Sequence, residues 1–492
     1  MIDLSIKEKQ LESTIERLRE RNIILPTYKQ MKNPNEYVSS NIKKDLHSIG
    51  LWDIHSRNLF RITWNNEPKL KGGLYQELPN YLELPSELTG VKARIIALIG
   101  KWMPTGSHKV GATYGCLIPR LVTGQFNPVI QKAVWPSTGN YCRGGAFNAT
   151  LLACESIAIL PEGMSKERFD WLNTVAGEII ATPGSESNVK EIYDKCHELM
   201  VSPRGQKGEI VIFNQFDEFG NHLWHFEVTG DAMNRILKKE LHDDRFRGIA
   251  LTTGSAGTIG CGDFLKESYP TSKIAVGEAL QCPTLLKNGF GSHRIEGIGD
   301  KHVPWIHNVK NTDLIIAIDD NDVMALIRLF NEEMGRKHLK NIGISEAFIE
   351  NLNLLGISSV ANVLMAIKMA KYYEMDENDV ILTVFTDSME LYQSRLQELR
   401  KELGPYTEKD AIRDFNRCLR GQKTNHMLEL NYLQKRRIHN LKYFTWIEQQ
   451  GRSSDELNRQ WYDSDYWSLV HSQVPEIDQL INEINKRVGL KN

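Results

Sequence analysis

Lys109 stands in the stretch Thr105-Gly106-Ser107-His108-Lys109-Val110-Gly111-Ala112, directly after the apolar, β-branched run Arg94-Ile95-Ile96-Ala97-Leu98-Ile99. The run reads as a strand. Met103-Pro104-Thr105-Gly106-Ser107 supplies turn and capping chemistry, and a helical pattern starts at about His108. A lysine in the first turn of a helix is electrostatically misplaced as a free cation. An amine engaged as a Schiff base to pyridoxal phosphate has a reason to be there, because imine formation uses the neutral amine and the cofactor brings its own anion. The plain alternative is a surface lysine, and the neighbouring motifs decide between them.

Two further loops carry chemistry. Pro136-Ser137-Thr138-Gly139-Asn140-Tyr141 follows Ala133-Val134-Trp135, a strand, at the end where open α/β sheets bind ligands. Its small hydroxyls and amide suit a carboxylate, with the Asn140 amide able to reach a ring hydroxyl. Thr252-Thr253-Gly254-Ser255-Ala256-Gly257-Thr258-Ile259-Gly260 lies between a strand and a helix, where bare backbone amides and the helix dipole favour an anion. Its glycines are spaced GxxGxxG. This is neither the GxGxxG of a dinucleotide fold nor a nucleotide loop ending in GK[ST]. A single phosphate monoester fits better.

The elements that must hold these loops follow from the rest of the chain. Between about 94 and 390, short β-branched runs alternate with helical patterns: Ser156–Leu160, Glu178–Ala181, Ile249–Leu251, Lys273–Val276 and Val380–Val384. The rhythm predicts an α/β fold with parallel sheets covered by helices on both faces. Before it, Leu11, Ile15 and Leu18 mark one face of a charged helix, and after about 395 the chain turns helical and polar, with Trp446, Trp461 and Trp467 read as core or interface. With 492 residues, 41% hydrophobic, the chain is long enough for two or three subdomains. Sixty Lys and Arg against 62 Asp and Glu argue for no nucleic-acid or membrane partner. The charged N-terminus lacks an apolar signal core, and seven cysteines without paired spacing suggest free thiols, so the expected location is the cytoplasm. No metal-ligand cluster is evident.

The motifs in order resemble the fold-type II pyridoxal phosphate enzymes of the cysteine synthase and cystathionine β-synthase family, with a lysine motif similar to tryptophan synthase β. Pro161-Glu162-Gly163-Met164-Ser165-Lys166-Glu167-Arg168 resembles the family's PExMSxER, and Asn214-Gln215-Phe216 its QQF. Gly291–Gly299 resembles GPHKIQGIG, and Thr386-Asp387-Ser388-Met389-Glu390-Leu391-Tyr392 sits where the family has a PSSGERY-like run. The resemblance implies two open, mostly parallel sheets with helical N- and C-terminal extensions. The expected divisions are 1–93 as an extension, 94–112 with 230–395 as the larger cofactor-phosphate domain, 113–229 as the smaller carboxylate domain, and 396–492 as a helical tail. It implies Lys109 as the Schiff-base lysine, with His108 near the phosphate. It implies Ser137, Thr138, Gly139, Asn140 and Gln215 at the substrate carboxylate, with Asn140 also facing the cofactor. Gly254, Ser255, Ala256, Gly257 and Thr258 become the phosphate loop, Ala256 replacing a usual glycine, and Ser388 the hydroxyl at the pyridine nitrogen.

A neutral hydroxyl at that nitrogen favours prompt loss of a β-substituent over transamination. The expected function is therefore a lyase or β-replacement enzyme on a serine- or cysteine-like amino acid, through an aminoacrylate intermediate, working as a homodimer. A threonine or serine dehydratase, an amino-acid racemase, and a non-catalytic regulatory homologue are the alternatives. Departures from the family pattern gather at Tyr141, Cys142 and Arg143, at Asp217–Asn221, and at Asp300-Lys301-His302, where cysteine synthases have Ala-Gly-Phe. They lie where the family shapes its substrate pockets. Cys142 reads as a buried structural thiol, and Arg143, Lys301 and His302 as solvated charges or readers of an acidic substrate group.

Overall fold

The computed structural model describes residues 1–137, 139–184 and 189–490. Two sheets organise the chain. The smaller is four-stranded, in the order β5-β4-β3-β6, from β3 (Lys132–Pro136), β4 (Ser156–Pro161), β5 (Glu178–Thr182) and β6 (Ile210–Ile212), and all its pairings are parallel. The larger is seven-stranded, in the order β1-β2-β10-β7-β8-β9-β11. It is built from β1 (Tyr81–Leu84), β2 (Arg94–Ile99), β7 (Arg245–Thr252), β8 (Lys273–Ala279), β9 (Leu314–Ile318), β10 (Asp379–Phe385) and β11 (Met427–Glu429). Its inner pairings are parallel, and only the edge strands β1 and β11 run antiparallel to their neighbours. The α/β architecture of two mostly parallel sheets read from the sequence is the one observed.

Parallel strands covered on both faces are apolar almost throughout, because neither face meets water. In β2, Ile96 and Leu98 enter one apolar cluster while Ile95, Ala97 and Ile99 enter another on the opposite face. In β10, Val380, Leu382 and Val384 go to the first and Ile381 and Phe385 to the second. The helix Ile357–Tyr372 covers the second face and is buried from Ile357 to Ala370.

The extensions are structural partners of the core. β1 lies before residue 94 and β11 after 395, so each extension lends the large sheet an edge strand. Leu11, Ile15 and Leu18 of the helix Glu8–Glu20 share one apolar cluster with Ile477, Ile481, Ile484 and Val488 of the last helix and with Leu117 and Leu121 of the helix Lys109–Val122. Asn485 both accepts from the Leu25 amide and donates to the Leu25 carbonyl, while Asp478 accepts from the amides of Tyr28 and Lys29. The indole N–H of Trp446, itself fully buried, donates to the Val303 carbonyl at 2.8 Å. The tail aromatics are core, as the sequence reading expected. All seven cysteines are buried and unbridged.

Candidate active site

Lys109 opens the helix Lys109–Val122, which leaves the large sheet after β2 and packs against the small-sheet helix Asn140–Leu151 and Trp224. Gly111 permits that approach: a Cβ there would lie 2.1 Å from the Trp224 ring. The amine reaches between the two halves of the site. Its Nζ donates to Ser255 Oγ at 3.0 Å and to Gln215 Oε1 at 3.3 Å. These three side chains line a cleft with Ser137, Asn140, Tyr141, Arg168, Phe216, Gly254, Glu296, Gly297, Asp300, Ser358 and Thr386. The space between them is about 440 Å³, the solvent-filled mouth included.

The loop after β7 has the features an anion needs. The amides of Gly254, Ser255 and Ala256 donate to no acceptor among the described residues. An amide without a protein acceptor must find water or a ligand, and Gly254 and Ser255 line the cleft. Ala256 sits at φ 64°, the left-handed conformation that ordinarily selects glycine, so the backbone shape survives the substitution at a cost of roughly 1–2 kcal/mol. Gly257 is sterically required. A Cβ there would lie 2.0 Å from the Asn221 side chain, which donates to Ser255 Oγ and to the Gln215 carbonyl. Thr258 follows in the turn Gly257–Ile259, ahead of the helix Gly260–Ser268.

On the other side, Gln215 Nε2 donates to Ser137 Oγ at 2.9 Å, so hydroxyl, amide and amine form one chain from Ser137 to Ser255. Thr138 lies outside the described residues. Gly139 adopts φ 152° and lies against the Arg168 guanidinium, where a Cβ would be 2.5 Å from Cζ. Asn140 Nδ2 donates to Asp387 Oδ2 at 2.5 Å, leaving its buried Oδ1 without a partner. The Tyr392 hydroxyl donates to the same Asp387 oxygen and accepts from Arg168 Nη2. Arg168 also pairs with Glu296 at 2.5 Å, and Glu296 with Arg395 at 2.6 Å. This buried network joins the small-sheet helix Lys166–Val175 to the segment after β10. Burial raises the Asp387 pKa, against the opposing pull of Tyr392, Arg168, Asn140 and Arg143.

Two expected site residues stand off the cleft lining. Ser388 is buried but does not line the cleft, whereas Thr386, after β10, and Ser358, from the start of the helix Ile357–Tyr372, do. The chain turns at this point because the Gly356 amide donates to the Asp387 carbonyl, and Ser388 starts the turn Met389–Leu391. His108 packs between Trp64 and His225, with ring centroids 5.9 and 4.8 Å away, rather than on the cleft wall. Burial and the adjacent Lys109 push its pKa well below the usual imidazole value.

The departures also resolve. Arg143 is neither solvated nor in the cleft: it is buried, its guanidinium 4.8 Å from the Trp171 ring and 5.5 Å from the Trp52 ring, with its pKa lowered to about 10 by desolvation. Cys142 is buried, its thiol donating to the Trp135 carbonyl and its pKa pushed up to about 12 by desolvation. Lys301 is exposed, and His302 packs against Phe216 at 4.8 Å, outside the cleft lining. Of the departures, Tyr141 and Asp300 line it. The sequence reading also passed over Arg168 and Glu296 as site residues, although both lie inside motifs it quoted. Ser358 carries no signal beyond a serine at a helix start.

The family model described as "Pyridoxal-phosphate dependent enzyme" matches residues 83–336. The chain belongs to that family. It is 30% identical over 264 residues to the cysteine synthase of Staphylococcus aureus, covering 53% of this chain and 75% of that protein. Over 323 residues it is 27% identical to the cystathionine beta-synthase of Saccharomyces cerevisiae, 64% of this chain and 59% of that one. Among solved structures it resembles a cysteine synthase from Entamoeba histolytica, with TM-score 0.56 and 22% identity over 70% of this chain and 93% of that one. A hydrogen sulfide-producing enzyme from Fusobacterium nucleatum matches with TM-score 0.53 and 22% identity over 66% of this chain and 90% of that one. These likenesses carry the fold.

The residues present fit the cofactor that defines the family. Orphan amides at Gly254–Ala256, a glycine that a side chain cannot replace, a lysine amine at the junction, and an unpartnered amide oxygen on Asn140 are the groups that phosphate, aldehyde and ring hydroxyl require.

Proposed function

We propose that this member of the pyridoxal phosphate family is a β-replacement enzyme acting on a serine- or cysteine-like amino acid. The observation that carries the reading is the position of the Lys109 amine, bonded at once to Ser255 of the phosphate loop and to Gln215, which holds Ser137 on the carboxylate side. The kinship with cysteine synthases and a cystathionine beta-synthase supports β-replacement.

Bound between these groups, pyridoxal phosphate supplies an electron sink that makes the α-proton of an attached amino acid acidic and a β-substituent able to leave. The amides of Gly254–Ala256 would hold its phosphate, and Asn140 Oδ1 would meet its ring hydroxyl. Ser137 and Gln215 orient the substrate carboxylate and so fix which α-bond faces Lys109. Lys109, once free as an amine, takes the α-proton as general base and returns a proton to the same carbon at the end of the cycle. The Asp387–Tyr392–Arg168–Glu296 network fixes Asn140 from behind and, by its burial, keeps water from that wall. In the same reading the protein is a homodimer of the cytoplasm; seven buried, unbridged thiols accord with a reducing compartment.

Borohydride reduction of the purified protein followed by peptide mapping should place the pyridoxyl group on Lys109, and Lys109→Ala should abolish turnover while keeping part of the cofactor affinity. Label on another lysine sinks the assignment. A panel of serine, cysteine and O-acylated serine, each with a thiol as second substrate, should yield replacement products for at least one donor.

A further inference from the structure

Two carboxylates line the cleft, Glu296 and Asp300. Glu296 is spoken for, paired with both Arg168 and Arg395. Asp300 is not. It is 7% exposed, its Oδ2 has no hydrogen-bond partner, and it enters no salt bridge among the described residues. Its backbone, by contrast, is firmly placed. The Thr284 hydroxyl donates to its carbonyl at 2.9 Å, and the preceding Gly299 amide donates to the Thr253 carbonyl at 2.9 Å, which ties it to the strand end before the phosphate loop. A carboxyl taken from water and given no partner is costly, and such groups collect where they act on a ligand.

Building on the β-replacement reading, we propose that Asp300 is the general base for the incoming second substrate, and that this substrate is a neutral thiol, amine or hydroxyl rather than a ready-made anion. Lys109 serves the α-carbon and is occupied with that proton. A nucleophile that arrives with its proton needs a second acceptor, and Asp300 is the one unpaired carboxyl on the cleft wall. A nucleophile already ionised at neutral pH, such as hydrosulfide, needs none.

The bonds balance without an oxidant. The first substrate's β-substituent leaves with its bonding pair. The nucleophile's lone pair then forms the bond to the β-carbon, its bond to hydrogen breaks, and that proton passes to the Asp300 carboxylate. The electron pair displaced from the β-carbon closes on the α-carbon, which takes the proton held by Lys109. Asp300 then releases its proton to the departed group or to water.

The chemistry suits the group. Burial raises the Asp300 pKa to about 7, with the Lys109 charge opposing the shift. A base with a pKa near the working pH combines availability with strength. The titratable and charged groups around it are Lys109, Tyr193, Cys282, and the cleft pair Arg168 and Glu296. Since Asp300 must be ionised to accept a proton, replacement by a neutral nucleophile should fall as pH drops below about 7, while replacement by hydrosulfide, expressed per concentration of the HS⁻ anion, should not follow that limb.

The test compares the wild-type, Asp300→Asn and Asp300→Ala holoenzymes. Exchange of the substrate α-proton with deuterated water, read by NMR, reports Lys109 and the β-replacement reading alone, and should stay within about 3-fold in the variants. Replacement by 2-mercaptoethanol or an amine should fall roughly 10²–10⁴-fold. Replacement by hydrosulfide should change no more than the exchange does. Independently of turnover, infrared difference spectra of the wild type should show a carboxyl band that grows as pH falls through about 7 and is missing in Asp300→Asn. Equal losses with neutral and anionic nucleophiles, or no loss with either, overturn the assignment to Asp300 and leave the β-replacement reading standing. Absence of α-proton exchange in the wild type overturns that reading and this inference with it.

Discussion

At the scale of single residues, the cleft lining after β10 sets the next test of the motif at Thr386–Tyr392. Thr386 and Ser358 line the cleft, and Ser388 does not. Ser388→Ala should therefore leave the cofactor's absorbance spectrum and affinity unchanged. Thr386→Val and Ser358→Ala should each weaken affinity by an amount set by one neutral hydrogen bond, about 0.5–1.5 kcal/mol, or 2- to 13-fold. Equilibrium dialysis against pyridoxal phosphate measures this. A shifted spectrum in Ser388→Ala with neither effect in the other two would restore Ser388 to the ring.

At the scale of elements, the turn from β7 into the helix Gly260–Ser268 is held from outside by Asn221 on the short helix Phe219–Trp224. Gly257→Val would drive a Cβ into the space of the Asn221 side chain, only 2.0 Å away. Displacing it removes its bonds to Ser255 Oγ and the Gln215 carbonyl, worth about 1–3 kcal/mol together. Cofactor affinity should fall on the order of 10- to 100-fold, with most of the fold intact by circular dichroism. Ala256→Gly should act oppositely. It relieves left-handed strain of roughly 1–2 kcal/mol and returns about 0.5–1 kcal/mol of backbone entropy, so affinity holds and stability does not drop. The neighbouring His222 reaches His471 of the C-terminal tail, with parallel rings and Nε2 to Nε2 at 2.9 Å. The tail thus touches the helix that buttresses the loop after β7.

At the scale of the whole molecule, the two extensions close on each other and on the helix that carries Lys109. Ile481 is fully buried in that shared cluster. Ile481→Ala should cost about 2–5 kcal/mol in denaturant unfolding while α-proton exchange changes little. Deleting 431–492 is a different matter. It strips fully buried Trp446, Ile477 and Ile481, each worth about 1.5–3 kcal/mol or more, along with Ile484 and Val488. The total approaches the 5–15 kcal/mol by which a domain is stable at all. The truncated chain should aggregate on expression; a monodisperse, cofactor-loaded product would show the tail to be dispensable.

The sequence by itself determined the α/β class, the family, the strand before Lys109, the helix that Lys109 begins, and the loops at Ser137–Asn140 and Gly254–Thr258. Each is written locally: a doubly covered strand is an apolar run, a helix start needs a cap and an anion loop needs small residues, all within about ten positions. Strands β1, β6 and β11 went unread because three or four residues carry no usable period, and β9 because five apolar residues fit a buried helix as well. What the tertiary structure decided is which side chains share a cavity. Arg143 looks like a solvated charge until Trp52 and Trp171 enclose it; Ser388 lies off the cleft lining, next to the turn that the Gly356 amide holds at Asp387. Glu296 and Asp300 are both acids in one short run, four residues apart. Only packing gives the first two arginine partners and leaves the second a bare carboxyl on the cleft that Lys109 also lines, because ion pairing depends on distance through space, which residue spacing does not set.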